Sequence, residues 1–120
     1  MTVHTLDALE IARLSAFAAL EKKGQDPLLL DLRGLSDVAD YFVIVSGQNP
    51  VHARAIYQEI DRVLRQHGVK NVHVEGEASG TWILIDMGDV VVHVFRGAER
   101  RYYDLERIWS KAAAVPLPEL

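Results

Sequence analysis

The chain has 120 residues, 49% of them hydrophobic and 25% charged, with no cysteine and a formal net charge of −4 from 13 Lys plus Arg against 17 Asp plus Glu. That length fits one compact core with little room for a second, and the balance of apolar and charged residues excludes a disordered chain. Without cysteine there is no disulfide framework and no thiolate metal site, and a weakly acidic chain suits a basic protein partner better than a phosphate backbone.

A reducing, cytoplasmic setting is the expectation. The longest apolar runs, such as residues 90–94, fall far short of the roughly 20 residues that span a bilayer, so no membrane partner is expected. Residues 1–20 carry Asp7 and Glu10 and lack a basic start followed by an apolar block, so no signal or transit peptide is expected either.

Residues 5–23 predict the first helix. Thr5 can cap it, Leu9, Ala12, Ala16 and Leu20 recur at helical spacing beside Phe17, and Gly24 suits a left-handed stop. Asp26 and Pro27 break that period, after which residues 28–32 and 41–45 read as short strands joined by the polar stretch 33–40. Asn49 and Pro50 signal the next helix, because Asn caps free amides and Pro at the first helical position has no amide to leave unpaired. On that helix Ala53, Ile56, Tyr57, Ile60, Val63, Leu64 and His67 share a face, Asp61 stands four residues before Arg65, and Gly68 ends it.

Residues 72–75, 81–85 and 90–95 are strand candidates, the last two joined as a hairpin by Asp86, Met87, Gly88 and Asp89. A third helix starts between Glu99 and Asp104 and packs through Leu105, Ile108 and Trp109. This order predicts a single α/β domain over residues 1–114 and a loosely ordered tail at 115–120. The strand, long helix, strand passage across residues 41–75 implies a parallel pair and the hairpin adds antiparallel strands. The sheet is therefore expected to be mixed, of about five strands, with helices packed on it.

Several spaced blocks resemble the ribosomal silencing factor (Iojap-related) family. They are Ser36 followed by Asp40-Tyr41-Phe42-Val43-Ile44 and Gly47; then Glu75-Gly76, Trp82-Ile83-Leu84-Ile85-Asp86, Gly88-Asp89 and Val92-His93-Val94-Phe95; then Arg100, Tyr102, Tyr103, Leu105, Glu106 and Trp109. The chain departs from the pattern at Gln48-Asn49-Pro50-Val51-His52, where many relatives are richer in Ser and Arg. The resemblance implies a repressor of translation that binds ribosomal protein fourteen of the large subunit and blocks docking of the small subunit when nutrients are short. It also implies a fold similar to nucleotidyltransferases without their activity, and a homodimer in the free state.

Along residues 81–86 a period of two places Trp82, Leu84 and Asp86 on one face and Ile83 and Ile85 on the other. With the isoleucines under helices, Trp82 and Asp86 face away, and an indole beside a carboxylate has the composition of an interface hot spot; the alternative puts Trp82 in the core. Met87, at the hairpin tip, has little of its own domain to pack on and suits an adaptable contact, although single exposed apolar residues are ordinary. Glu75, Glu77, Asp86 and Asp89 offer carboxylates to a basic partner, although for Glu77 and Asp89 a solvated acidic face is an equal alternative. His93, on the face opposite Val92 and Val94, is either a satisfied buried imidazole or an interface group. The partner-binding set is thus Glu75, Trp82, Asp86, Met87, Asp89 and His93.

The remaining motifs read as structural. Ser46-Gly47-Gln48-Asn49 lies where anion-binding loops occur, but one glycine, no following Lys and Pro50 make it a turn and cap. A metal-dependent nucleotidyl or phosphoryl transferase is the rival from another class, and it needs carboxylates holding paired metals about 4 Å apart. Asp86 and Asp89 straddle a turn, and Glu75 with His73 lacks a third clear ligand. No catalytic residue, metal or cofactor is therefore assigned. His4, His52, His67, His73 and His93 show no zinc-binding helical pair. Arg96, Arg100, Arg101, Arg107 and Lys111 form the one basic cluster, which either touches ribosomal RNA or pairs with Asp104 and Glu106. A self-assembling scaffold with no ribosomal role is a third reading.

Overall fold

A computed structural model describes residues 6–70 and 72–117. Helix α1 spans Ala8–Glu21 and its cap is Asp7, two residues later than expected; Thr5, like His4, lies outside the described residues. A capping box explains the shift: the Glu10 amide donates to Asp7 Oδ1 at 2.8 Å, and Glu10 Oε1 accepts from the Asp7 amide at 3.3 Å. The left-handed residue that ends α1 is Lys23 (φ 59°), where Gly24 was expected. Gly24 instead permits close packing, since any Cβ there would lie 2.7 Å from Val45 Cγ2.

Strands β1 (Gln25–Asp31) and β2 (Tyr41–Gly47) pair antiparallel. Helix α2 (Pro50–Gln66) follows, with the Asn49 side chain accepting the His52 amide at 2.9 Å as expected of its cap. Then come β3 (His73–Glu75), β4 (Trp82–Asp86) and β5 (Val90–Arg96). The β4–β5 hairpin forms with Trp82 opposite Phe95 and Asp86 opposite Val91, closed by the Met87 amide donating to the Val90 carbonyl at 2.9 Å.

One connection differs from expectation. The parallel partner of β2 is β5, in register from Tyr41 opposite Val90 to Gly47 opposite Arg96, whereas among the described residues β3 pairs only with β4. The crossover from β2 therefore carries α2 and the whole of β3 and β4 before it returns. The physical reason is burial: β2 is buried at all seven positions and β5 at six, so each needs a strand on both sides, while the three-residue β3 suits an edge.

Helices α3 (Gly97–Tyr103) and α4 (Leu105–Ile108) replace the single third helix. The break is Asp104, whose left-handed backbone (φ 49°) no helix can continue through. A short β6 (Ala113–Ala114) adds to the far edge, giving six strands among the described residues, in the order β3-β4-β5-β2-β1-β6. Beyond it the Val115 amide donates to the Leu29 carbonyl at 2.8 Å, and Val115 and Leu117 pack on the core.

The sheet separates two apolar layers. On the first face Val43, Val45, Ile83, Ile85, Val92 and Val94 meet α1 and α2 through Ala12, Ala16, Ile56, Ile60 and Leu64. On the second, Leu30, Phe42, Ile44, Val91 and Phe95 are covered less completely, by Leu105, Trp109 and Ala112 from the C-terminal segment. No residue of α3 or α4 is buried, so this cover is thin.

Candidate functional site

The thinly covered face is where β4 presents its alternate side chains. Ile83 and Ile85 are fully buried beneath the helices, which turns Trp82, Leu84 and Asp86 to the second face, where all three are half-buried. Trp82 belongs neither wholly to the core nor wholly to solvent. Its ring stacks on Phe95 at 5.0 Å between centroids, and Tyr103 of α3 lies against it at 4.5 Å. Its indole Nε1 donates to His93 Nδ1 at 3.1 Å. His93 is 4% exposed, and burial pushes its pKa down to about 4, so the imidazole is neutral at ordinary pH.

Two of the acidic groups, Glu75 and Asp86, lie on the same face, and Asp89 is in the hairpin turn. Glu75, on the edge strand, stands opposite Leu84 and is exposed, with His73 Nε2 3.0 Å from its Oε1. The hydrogen bond to that carboxylate raises the His73 pKa. Asp86 stands opposite His73, and its Oδ1 accepts the Gly88 amide at 2.8 Å, so one of its oxygens shapes the turn. Asp89 has an exposed side chain, while its carbonyl accepts the Asp40 and Tyr41 amides at 2.8 and 3.1 Å. Met87 corrects the expectation that the hairpin tip leaves it little of its own domain to pack on: it is half-buried against the helix-side core, because the turn folds it towards the first face.

Two further motifs resolve locally. The turn before α2 keeps its polar groups for itself, with the Gln48 amide donating to His52 Nδ1 at 2.9 Å and His52 Nε2 meeting the Lys22 carbonyl at 2.7 Å. Gly47 serves packing, since a Cβ there would lie 2.8 Å from the Ala53 amide nitrogen. In the basic cluster Arg96 pairs with Glu99 at 2.6 Å. Arg100, with its side chain only 12% exposed, pairs with Glu106 at 2.8 Å and donates to the Asp26 carbonyl at 2.7 Å and Ser46 Oγ at 3.0 Å. It floors a cavity of about 420 Å³ as a clamp between α3, α4 and the strands, while Arg101, Arg107 and Lys111 stay exposed.

Sequence reasoning placed Leu84 on this face but omitted Tyr103 from it and left the role of His93 open. The hairpin register carried the missing signal. With Trp82 opposite Phe95, His93 is the diagonal neighbour two residues away, within reach of an aromatic side chain.

Residues 5–120 match the family model described as ribosomal silencing factor during starvation. The chain belongs to the ribosomal silencing factor family. It is 42% identical to ribosomal silencing factor RsfS of Bacillus subtilis over 110 residues, covering 92% of this chain and 91% of that one. The RsfS of Halalkalibacterium halodurans is 39% identical over 108 residues, 90% of this chain and 92% of its own length. A crystal structure of a Chromobacterium violaceum protein superposes with a TM-score of 0.85 at 33% identity, covering 96% of this chain and 92% of that one. The α/β fold with a mixed sheet is thus that of solved structures, and membership ties the silencing factor to translation and the ribosome. Among the described residues no helix is long and apolar enough to cross a membrane.

Proposed function

We propose that this silencing factor acts without catalysis, as a cytoplasmic repressor that binds ribosomal protein fourteen of the large subunit and stands where the small subunit would dock. The observation that carries the reading is the second face of the sheet at β3–β4–β5. There a half-buried indole shares the sheet face with the carboxylates of Glu75 and Asp86 in a chain of net charge −4. An aromatic anchor provides contact energy, and the surrounding acidic groups attract and orient a basic partner. Asp89 adds a carboxylate at the hairpin, His93 supports Trp82 from beneath, and Met87, packed towards the helix side, offers its accessible part only at the hairpin's edge.

Minor contact with ribosomal RNA falls to Arg101, Arg107 and Lys111, since Arg96 and Arg100 have carboxylate partners within the chain. Homodimers form in the free state. No cofactor is required. For the rival transferase, among the described residues no three His, Asp or Glu side chains converge on a point that would hold a metal ion.

Co-sedimentation with purified large subunits, followed by a subunit-joining assay, tests the proposal. Binding with inhibited joining supports it, and binding without inhibition removes the steric step. Thermal melts with Mg²⁺ and ATP test the rival, because a ligand that prefers the native state raises the midpoint. A raised midpoint without ribosome binding would replace this reading.

A further inference from the structure

Buried imidazoles ordinarily satisfy both ring nitrogens, and His93 does not. Its Nδ1 accepts the Trp82 indole N–H at 3.1 Å, which places the proton of the neutral ring on Nε2. That Nε2 is buried without a hydrogen-bond partner among the described residues, in a ring set edge-on to Phe42 at 4.6 Å. A leucine or phenylalanine at this position would fill the layer with no orphaned donor. What the imidazole adds is one acceptor aimed at one indole.

The indole needs such a restraint. Its outer torsion is intrinsically broad, and stacking on Phe95 at 5.0 Å gives a preferred plane but does not choose which edge of the ring faces inward. The hydrogen bond makes that choice. It draws the N–H into the protein and leaves the ring's carbon periphery for whatever meets the face.

We propose that His93 is the positioning residue of the docking face, fixing Trp82 so that a partner meets indole carbon and not an indole N–H donor. The inference rests on the docking reading above and deepens it by naming the chemistry Trp82 offers. The fitting side chain is long, with an apolar stem laid along the ring and a cationic head directed to Glu75, which stands opposite Leu84 on the neighbouring strand; a lone acceptor gains nothing from Trp82. His93 stays neutral well below physiological pH, so the acceptor is present whenever the protein works.

Nitrogen-15 spectra of the unmodified protein give the first test: His93 shows the Nε2–H tautomer, and the Trp82 indole proton exchanges slowly. The opposite tautomer, or a freely exchanging indole, overturns the proposal without any variant. Variants give the second. His93→Phe keeps an aromatic filler without the acceptor and weakens large-subunit binding about 3- to 10-fold, the value of one net hydrogen bond. His93→Asn, whose Oδ1 stands near the Nδ1 position, recovers part of the affinity and the protected indole signal. Full affinity in His93→Phe alongside lost binding in Trp82→Ala overturns the positioning role and leaves docking intact. Full affinity in Trp82→Ala instead overturns the docking reading, and the tautomer result stands apart from it.

Discussion

The indole of Trp82 and the phenol ring of Tyr103 meet with centroids 4.5 Å apart and planes tilted by 43°. This contact ties the sheet to α3 and carries the aromatic surface outward, because Tyr103 is 43% exposed and touches Tyr102, which is 82% exposed. Trp82→Ala is expected to weaken large-subunit binding by about 1 to 4 kcal/mol while the fold survives. Tyr103→Ala removes one flank of the same ring and should weaken it by about 0.5 to 1.5 kcal/mol. Titration against large subunits, with melts as the control for folding, ranks the two. Unchanged binding by Trp82→Ala would take the indole out of the interface.

Asp86 has two tasks, since one oxygen holds the Gly88 amide at 2.8 Å and the carboxylate contributes charge to the face. Two substitutions separate them. Asp86→Asn retains an acceptor for the turn and removes the charge, and Asp86→Lys reverses it. Association with a basic partner should slow in the first and slow further in the second, with a shallower dependence on salt in both. Stopped-flow rates across a salt series measure this, and slopes matching the unmodified protein would deny Asp86 an electrostatic role.

What the sequence made legible follows how local each cause is. The α2 start was readable because Asn49 and Pro50 act on the adjacent turn, and the hairpin because residues 86–89 combine acceptors with glycine. The two faces of β4 followed from a period of two, so Ile83 and Ile85 were correctly turned inward. The parallel partner of β2 was not readable in the same way: pairing with β5 depends on burial summed over a strand more than 40 residues away in sequence. Neither was β6, because Ala113 and Ala114 have little strand preference and are held by Leu30 and Asp31. Within the site, residue types pointed to Trp82, Glu75 and Asp86, while the bond between Trp82 and His93 required the register.

Gly76 is predicted to be the backbone position on which the placement of Trp82 depends. Its φ of 85° is left-handed, and a Cβ there would overlap the Trp82 carbonyl oxygen. Gly88 has a similar φ of 87° with nothing within 4 Å of a Cβ, so it isolates the conformational penalty. Gly88→Ala should destabilise by about 1 to 2 kcal/mol, the strain of a left-handed alanine. Gly76→Ala should exceed it, because the backbone of β4 must also move, and it should weaken ribosome binding as well. Urea melts of the two variants decide, and equal losses would show that the approach to Trp82 is easily relaxed.

The burial of His93 also makes stability respond to acid. In the folded chain burial holds His93 near a pKa of about 4, below the ordinary value of 6.5 that it regains on unfolding. Between those values the unfolded chain binds a proton that the folded one refuses. The contribution of neutral His93 is therefore complete above about pH 6.5 and is lost as pH falls towards 4, by at most about 1.4 kcal/mol per unit. His73 works in the opposite sense. Its raised pKa favours the folded state below its ordinary value and loses that benefit as pH rises through the folded one, but the pair with Glu75 is exposed and the effect is small. Melting midpoints from pH 4 to 8 should fall with acid more steeply in the unmodified protein than in His93→Phe, with His73→Gln tracking the unmodified curve closely. Parallel curves for the unmodified protein and His93→Phe would mean that burial does not depress the His93 pKa.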